Sequence, residues 1–122
     1  MEMTAKKILV VDDEYSFCKF MKEYLTRLGY AVTISMNGEQ ALDLIGMEKP
    51  DIMTLDMRMP GLNGYDILER LRKENSTLKV IVISAIDTPE MEEHLTRFGA
   101  HAVLRKPMDL EEMAQTIKRL LE

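Results

Sequence analysis

Short apolar runs alternate with amphipathic stretches five times along the 122-residue chain. The apolar runs are rich in branched residues, which is typical of strands buried on both faces of a sheet. They predict strands at Lys7–Val11, Ala31–Ser35, Ile52–Leu55, Val80–Ile83 and Ala102–Leu104. The amphipathic stretches repeat their apolar residues at three- and four-residue spacings, which indicates helices. These are predicted at Glu14–Leu28, after a cap at Asn37, from about Tyr65 to Lys73, from Thr88-Pro89 to Gly99, and from Asp109 onward.

The first helix is expected to turn Phe17, Met21, Tyr24, Leu25 and Leu28 toward the core. The last helix is expected to start with a reciprocal capping arrangement between Asp109 and Glu112.

Strand–helix alternation predicts an α/β fold built on one doubly wound parallel sheet. Its crossovers should be right-handed, with helices on both faces. The chain has the length of one common domain, so we expect residues 1–122 to form a single domain.

Polar residues follow four of the five predicted strands. Asp12 and Asp13 come after the first strand, Asp56 after the third, Ser84 after the fourth, and Lys106 after the fifth. Sites in open α/β sheets form at the carboxyl ends of strands. If the first and third strands are neighbours, three carboxylates meet there, and charges about 4 Å apart repel by roughly 4 kcal/mol at an effective dielectric near 20. A hard divalent cation bound by oxygens would offset that repulsion.

These side chains suit phosphoryl chemistry. A carboxylate can attack a phosphoryl group and form an acyl phosphate. Mg²⁺ prefers carboxylate, water and phosphate oxygens. A lysine ammonium and a serine hydroxyl can bind further phosphoryl oxygens. Together they predict a site that accepts a phosphoryl group.

Composition excludes several other classes of function. The net charge of −5 argues against a nucleic-acid partner or an anionic membrane surface. No apolar stretch reaches the roughly 18 residues of a membrane span. Cys18 is the only cysteine, so an intrachain disulfide is impossible and a cytoplasmic location is expected.

Four stretches, in their order and spacing, resemble the receiver domains of bacterial two-component response regulators. They are Ile8–Glu14, Asp56–Gly64, Val82–Ala85, and Gly99-Ala100 followed by Lys106-Pro107. The resemblance covers essentially the whole chain. It implies a flavodoxin-like (βα)5 fold with strand order 2-1-3-4-5, in which the first and third strands lie side by side.

The resemblance also implies a metal site and a phosphate acceptor. Asp56 is expected to accept the phosphoryl group. Asp13 is expected to bind Mg²⁺ directly, Asp12 mainly through water, and Arg58 through its backbone carbonyl. Asp56 itself would complete the metal site.

Other roles follow from the same resemblance. Lys106 is expected to contact the phosphoryl group or Asp56, and the Lys106-Pro107 bond to be cis. Ser84 is expected to bind a phosphoryl oxygen, and the small Ala85 to leave room for the donor. The side chains of Arg58 and Ile86 are expected to tune how fast the phosphoryl group is lost to water.

The expected partner is a sensor histidine kinase or a histidine phosphotransfer protein, with small phosphodonors as further candidates. The resemblance leaves homodimer formation open. It also leaves open a stand-alone receiver or one domain of a larger regulator. The family usually has an aromatic residue three positions before the lysine, and this chain has Val103 there. Valine is short and stiff at χ1, so an aromatic switch is not expected.

Two other classes of protein share this chemistry or this topology. A phosphatase with an aspartyl-phosphate intermediate needs a second acid two residues after Asp56, where this chain has Arg58. A flavin-binding module needs a phosphate loop after the first strand, where Asp12 and Asp13 would repel phosphate. A signalling phosphoacceptor rather than an enzyme is therefore expected. His94 and His101 lack metal-ligand spacing and are expected to face solvent.

Overall fold

A computed structural model describes residues 4–85 and 88–122 of the chain. Within these ranges five strands alternate with five helices: β1 Lys7–Val11, α1 Tyr15–Arg27, β2 Ala31–Ser35, α2 Gly38–Glu48, β3 Ile52–Leu55, α3 Gly64–Lys73, β4 Lys79–Ser84, α4 Pro89–Arg97, β5 Ala102–Arg105 and α5 Leu110–Leu121. All strand pairs are parallel, in the order β2-β1-β3-β4-β5. The predicted fold class and strand order are confirmed. Ile86 lies outside the described residues, so the expectation placed on it stays a prediction.

The register of the sheet brings the ends of β1 and β3 to the same edge. Val11 pairs with Leu55, and the N–H of Asp56 donates to the carbonyl of Val11 at 3.0 Å. On the other side of β3, the N–H of Lys106 donates to the carbonyl of Ser84 at 3.0 Å, just beyond the β4–β5 pairing. Backbone hydrogen bonds therefore fix the main-chain positions of Asp56 and Lys106 at this edge.

Both faces of the sheet are covered by helices, which explains the continuous apolar runs in the sequence. Leu9 and Met53 lie in a core cluster with residues of α2, α3 and α4. Ile8 and Ile52 lie in a second cluster with residues of α1 and α5. Alternate residues of one strand thus serve two separate cores. In the described ranges, no helix has the length and apolar character needed to cross a membrane.

Side-chain caps begin four of the helices. Asn37 accepts from Gln40 N, Thr88 from Met91 N, and Asp109 from both Glu111 N and Glu112 N. The reciprocal capping box lies at α3, between Asn63 and Asp66. The expected box at α5 is corrected in this respect: Asp109 caps the helix by accepting two backbone N–H groups.

The prediction that Leu28 faces the core is wrong. Leu28 is the C-cap of α1 and is 49% exposed, whereas Leu25 is fully buried. The chain reverses at Gly29, whose φ is +98°, a value that favours glycine. Leu28 therefore lies past the last turn that touches the sheet.

Candidate functional site

Three carboxylates converge at the carboxyl edge of β1 and β3. Asp12 and Asp13 follow β1, and Asp56 follows β3. One carboxylate oxygen from each lies within 4.8 Å of the others. Asp12 is 1% and Asp56 7% exposed, while Asp13 is open to solvent. The convergence predicted from the sequence is present, with one acid of the three accessible from outside.

Lys106 supplies a positive charge to this cluster. Its Nζ donates to Oδ2 of Asp12 at 2.7 Å and lies 3.7 Å from Oδ2 of Asp56. Glu14 adds a third carboxylate at 3.5 Å from Nζ. Burial lowers the pKa of Lys106, but its hydrogen bond to Asp12 and the charges of Asp12, Asp56 and Glu14 outweigh this, so the pKa is raised. Lys106 therefore keeps its positive charge, and its ammonium lies closer to Asp12 than to Asp56.

Burial also changes the acidity of Asp56. It raises the pKa of Asp56 above its ordinary value, and the charges of Asp12 and Asp13 act in the same direction. The Arg58 N–H, which donates to Oδ1 at 3.1 Å, and the Lys106 charge oppose that rise without cancelling it. A carboxylate whose charged form is destabilised in this way is more basic than usual, and it gains from an added cation.

The loop after β3 positions Arg58 through its backbone. Its N–H contacts Asp56, and the residue as a whole is exposed. The expected role of its carbonyl as a metal ligand stays a prediction.

Ser84 ends β4 beside this edge of the sheet. It is 1% exposed, and its Oγ has no hydrogen-bond partner within residues 4–85 and 88–122. A buried hydroxyl without a partner is costly, by about 1–3 kcal/mol. The Ser84 hydroxyl is therefore available to donate a hydrogen bond to a ligand atom.

The start of α1 is attached to the same cluster. The N–H of Glu14 donates to Oδ1 of Asp12 at 2.9 Å, and Sγ of Cys18 donates to the carbonyl of Asp12 at 3.2 Å. Burial raises the pKa of the Cys18 thiol to about 11, with the charge of Asp12 adding to it. Cys18 is therefore a protonated, buried packing residue.

The Lys106-Pro107 bond is cis, as expected. Val103 is half-buried against the core on the α3 and α4 side. His94 and His101 are exposed, as predicted, although Nδ1 of His101 accepts the N–H of Val80.

Sequence reasoning missed two neighbours of Lys106. The sequence places Glu14 in the receiver motif and at the start of a helix, and Phe17 on the apolar face of that helix, but links neither residue to Lys106. In the structure the Phe17 ring lies under the ammonium, with its centroid 4.5 Å from Nζ. Both residues follow Asp13 by one to four positions, and this nearness to the strand end was the available signal.

Comparison with known proteins agrees with this geometry. The family model described as the response regulator receiver domain matches residues 8–118. The chain therefore belongs to the response regulator receiver family, as its motifs indicated. Receiver domains bind Mg²⁺ through an acidic pocket, and the aspartate cluster is the corresponding feature of this chain.

Individual relatives differ in length. Sporulation initiation phosphotransferase F of Bacillus subtilis is 34% identical over 119 residues, which cover 98% of this chain and 96% of that protein. Response regulator MprA of Mycolicibacterium vanbaalenii is 35% identical over 115 residues, covering 94% of this chain but only 50% of that protein. The receiver domain of a Francisella response regulator superposes with a TM-score of 0.92 at 32% identity, covering 95% of this chain and 96% of that one.

Proposed function

We propose that Asp56 is the phosphate acceptor of this receiver domain and takes its phosphoryl group from a phosphohistidine. The observation that carries the proposal is the convergence of Asp12, Asp13 and Asp56 within 4.8 Å, with Lys106 beside them. Burial raises the pKa of Asp56, which is expected of a nucleophilic carboxylate.

The chemical step is a displacement at phosphorus. A carboxylate oxygen of Asp56 forms a bond to phosphorus as the phosphorus–nitrogen bond of the donor breaks. The electron pair of that bond stays on the imidazole. Because the ring's second nitrogen carries a proton, the released imidazole is neutral. The product is an acyl phosphate on Asp56. Phosphoryl transfer asks the protein mainly to position groups and to balance charge.

Lys106 and Ser84 are proposed to bind the transferred group. The ammonium of Lys106, 3.7 Å from Asp56 and not hydrogen-bonded to it, can turn toward a phosphoryl oxygen. The hydroxyl of Ser84 can donate to another, which would satisfy a buried group that has no partner in the described chain. Ser84 ends β4, Lys106 follows β5 and Asp56 follows β3, so all three lie at the carboxyl edge of the sheet.

The donor set fits a Mg²⁺ ion. We propose that Asp13 and Asp56 bind it directly, that Asp12 binds mainly through water, and that the carbonyl of Arg58 adds a ligand. Carboxylate and carbonyl oxygens with waters are the ligands that Mg²⁺ prefers. When bound, the ion supplies neutralisation of the charge on the phosphoryl oxygens. Asp13 is the exposed acid, which leaves one side of such a site open to the donor.

The proposed partner is a histidine kinase or a histidine phosphotransfer protein in the cytosol, with small acyl phosphates as further donors. We also propose that residues 1–122 make up one receiver domain. The domain acts as a phosphoacceptor and does not turn over free phosphate esters, because Arg58 stands where an aspartyl-phosphate phosphatase needs its second acid. Hydrolysis of a generic phosphate ester at enzyme-like rates would favour the phosphatase alternative.

The acceptor assignment is tested by phosphoryl incorporation from a small acyl phosphate, followed by intact-mass measurement. The wild type with Mg²⁺ should incorporate one phosphoryl group, and Asp56→Asn should incorporate none. Asp43→Asn makes the same chemical change on the exposed face of α2 and should behave as the wild type. Equal incorporation in the wild type and Asp56→Asn would exclude Asp56 as the acceptor.

A further inference from the structure

The ammonium of Lys106 contacts both carboxylates and an aromatic ring. On one side are the carboxylates of Asp12, Glu14 and Asp56, at 2.7, 3.5 and 3.7 Å from Nζ. The ring of Phe17 also contacts the ammonium, with its centroid 4.5 Å from Nζ. This distance is within the roughly 6 Å over which an aromatic face attracts a cation.

The lysine needs such lateral support because its stem is long. Its backbone is held at the strand end by the bond from Lys106 N to Ser84 O, but four methylene groups separate that point from the charge. The side chain is 20% exposed, so water does not surround it. A half-buried ring beside the ammonium limits the directions in which the stem can turn.

The position of Phe17 is itself fixed by the acid cluster. Phe17 is the third residue of α1, and the start of α1 is held by the Glu14 N–H on Asp12 and by the Cys18 thiol on the Asp12 carbonyl. The ring is therefore placed relative to the same aspartate that accepts the Lys106 hydrogen bond.

We propose that Phe17 is a positioning residue for phosphoryl transfer, holding the Lys106 ammonium by a cation–π contact while it moves from Asp12 to the phosphoryl group on Asp56. This inference rests on the proposed function. In the unmodified protein the ammonium is bonded to Asp12, so it must shift to serve Asp56. A cation–π contact tolerates such a shift because it lacks the narrow angular demand of a hydrogen bond.

The test compares Phe17→Leu, which keeps an apolar side chain without a π face, with Phe17→Tyr, which keeps the face. Phe20→Leu is the matched control, because Phe20 lies on the same helix, is 50% exposed and makes the identical change. Phosphoryl incorporation from a small acyl phosphate at saturating Mg²⁺ is measured for each. We expect Phe17→Leu to be slower by about two- to fivefold, as loss of a cation–π contact predicts. Phe17→Tyr and Phe20→Leu should stay near the wild-type rate.

A spectroscopic readout separates positioning from general packing. The methylene next to the ammonium should show a ring-current upfield shift in the wild type, assigned by its absence in Lys106→Gln. The shift should disappear in Phe17→Leu and persist in Phe17→Tyr and Phe20→Leu. If Phe17→Leu does not fold, Phe17→Met replaces it with a longer apolar chain in the same comparison.

The outcomes distinguish this inference from the proposed function. If the wild type takes up phosphoryl groups and folded Phe17→Leu matches its rate and its Lys106 spectrum, the positioning role is overturned. A slow Phe17→Tyr variant that retains the ring-current shift would also overturn it. If the wild type takes up none, the proposed function fails, and the positioning role falls with it.

Discussion

Charge balance around Lys106 decides how this edge of the protein behaves at the scale of single residues. One ammonium faces Asp12, Asp56 and Glu14, and Asp13 lies close to the same cluster. Negative charge is therefore in excess within the cluster. The lysine offsets part of the repulsion, and the remainder explains why a cation should bind there.

Replacing this lysine should expose the repulsion. We expect Lys106→Gln to lower the free energy of unfolding by about 1–3 kcal/mol in chelator, because it leaves the buried Asp12 carboxylate without its ionic partner. Mg²⁺ should restore part of this loss and should stabilise the variant more than the wild type. Urea unfolding with and without Mg²⁺ measures both effects.

Lys118→Gln provides the control for that experiment. Lys118 is exposed in the last turn of α5, and its loss should leave stability within about 0.5 kcal/mol of the wild type. A Lys106→Gln protein as stable as Lys118→Gln in chelator would show that the ammonium does not compensate the aspartates.

At the scale of elements, the loop after Asp56 is held by the close approach of α3 to Met57. Gly64 begins α3, and a Cβ added there would lie 2.8 Å from the Cα of Met57. Because that neighbour is backbone, it cannot move aside without shifting the residue next to Asp56. The first turn of α3 is thus a packing constraint on the site.

Gly64→Ala should therefore destabilise the protein by about 1–3 kcal/mol, as overpacking does. Gly46→Ala is the matched control, since a Cβ at that position in α2 would meet nothing within 4 Å. There the same change should stabilise by about 0.5–1 kcal/mol, because alanine favours the helix. Thermal unfolding of the two variants should move in opposite directions, and a neutral Gly64→Ala would contradict the close packing.

The pairing of β4 with the residue before β5 contains a titratable acceptor. His101 N donates to the carbonyl of Val80 at 2.8 Å, and the Val80 N–H donates to Nδ1 of His101 at 3.0 Å. Protonation of Nδ1 would place two donors against each other. His101 is exposed as a residue, but partial burial of its ring, with a smaller effect of the Lys79 charge, lowers its pKa below the ordinary value of 6.5.

This lowered pKa gives the pH dependence a definite sign. The unfolded chain takes up the proton first, so the contribution of His101 to stability is present above pH 6.5 and is lost as pH falls through the folded pKa. Between about pH 7.5 and about pH 5, the wild type should lose more stability than His101→Gln, which cannot titrate. His94→Gln, which changes an exposed histidine of α4, should follow the wild type. Equal losses of stability in the wild type and in His101→Gln would show that His101 does not cause this pH dependence.

For the whole molecule, patterns that repeat along the chain predicted the architecture well. The strand at Ile52–Leu55 was bounded correctly because a parallel strand buried on both faces is apolar throughout. Leu28 was misplaced because periodicity does not register that a helix has ended and the chain has turned at Gly29. Periodicity identifies the apolar face of a helix, but tertiary packing decides which residues of that face are buried against the sheet.

In the site, too, the sequence predicted which strand ends meet but not the contacts that depend on tertiary packing. The meeting of Asp12 with Asp56 followed from strand adjacency, which the resemblance to receiver domains supplied. The preference of Lys106 for Asp12 over Asp56 did not follow, because it depends on the direction of a flexible four-carbon stem. The contact with Phe17 was missed for a related reason, since a helix face predicts burial but not which charged group lies across it.

The balance of charge across the whole edge predicts how Mg²⁺ should bind. Asp12 is already bonded to Lys106 and to the Glu14 N–H, so the unmodified protein offers few free carboxylate oxygens. Mg²⁺ should therefore keep several waters and bind with a dissociation constant well above the micromolar range. Beryllofluoride, which imitates a phosphoryl group on Asp56, should tighten it by adding ligand atoms and drawing Lys106 away from Asp12. Titration calorimetry with and without beryllofluoride measures the two constants. Sub-micromolar binding to the unmodified protein, or no tightening by beryllofluoride, would show that the aspartates form a complete metal site on their own.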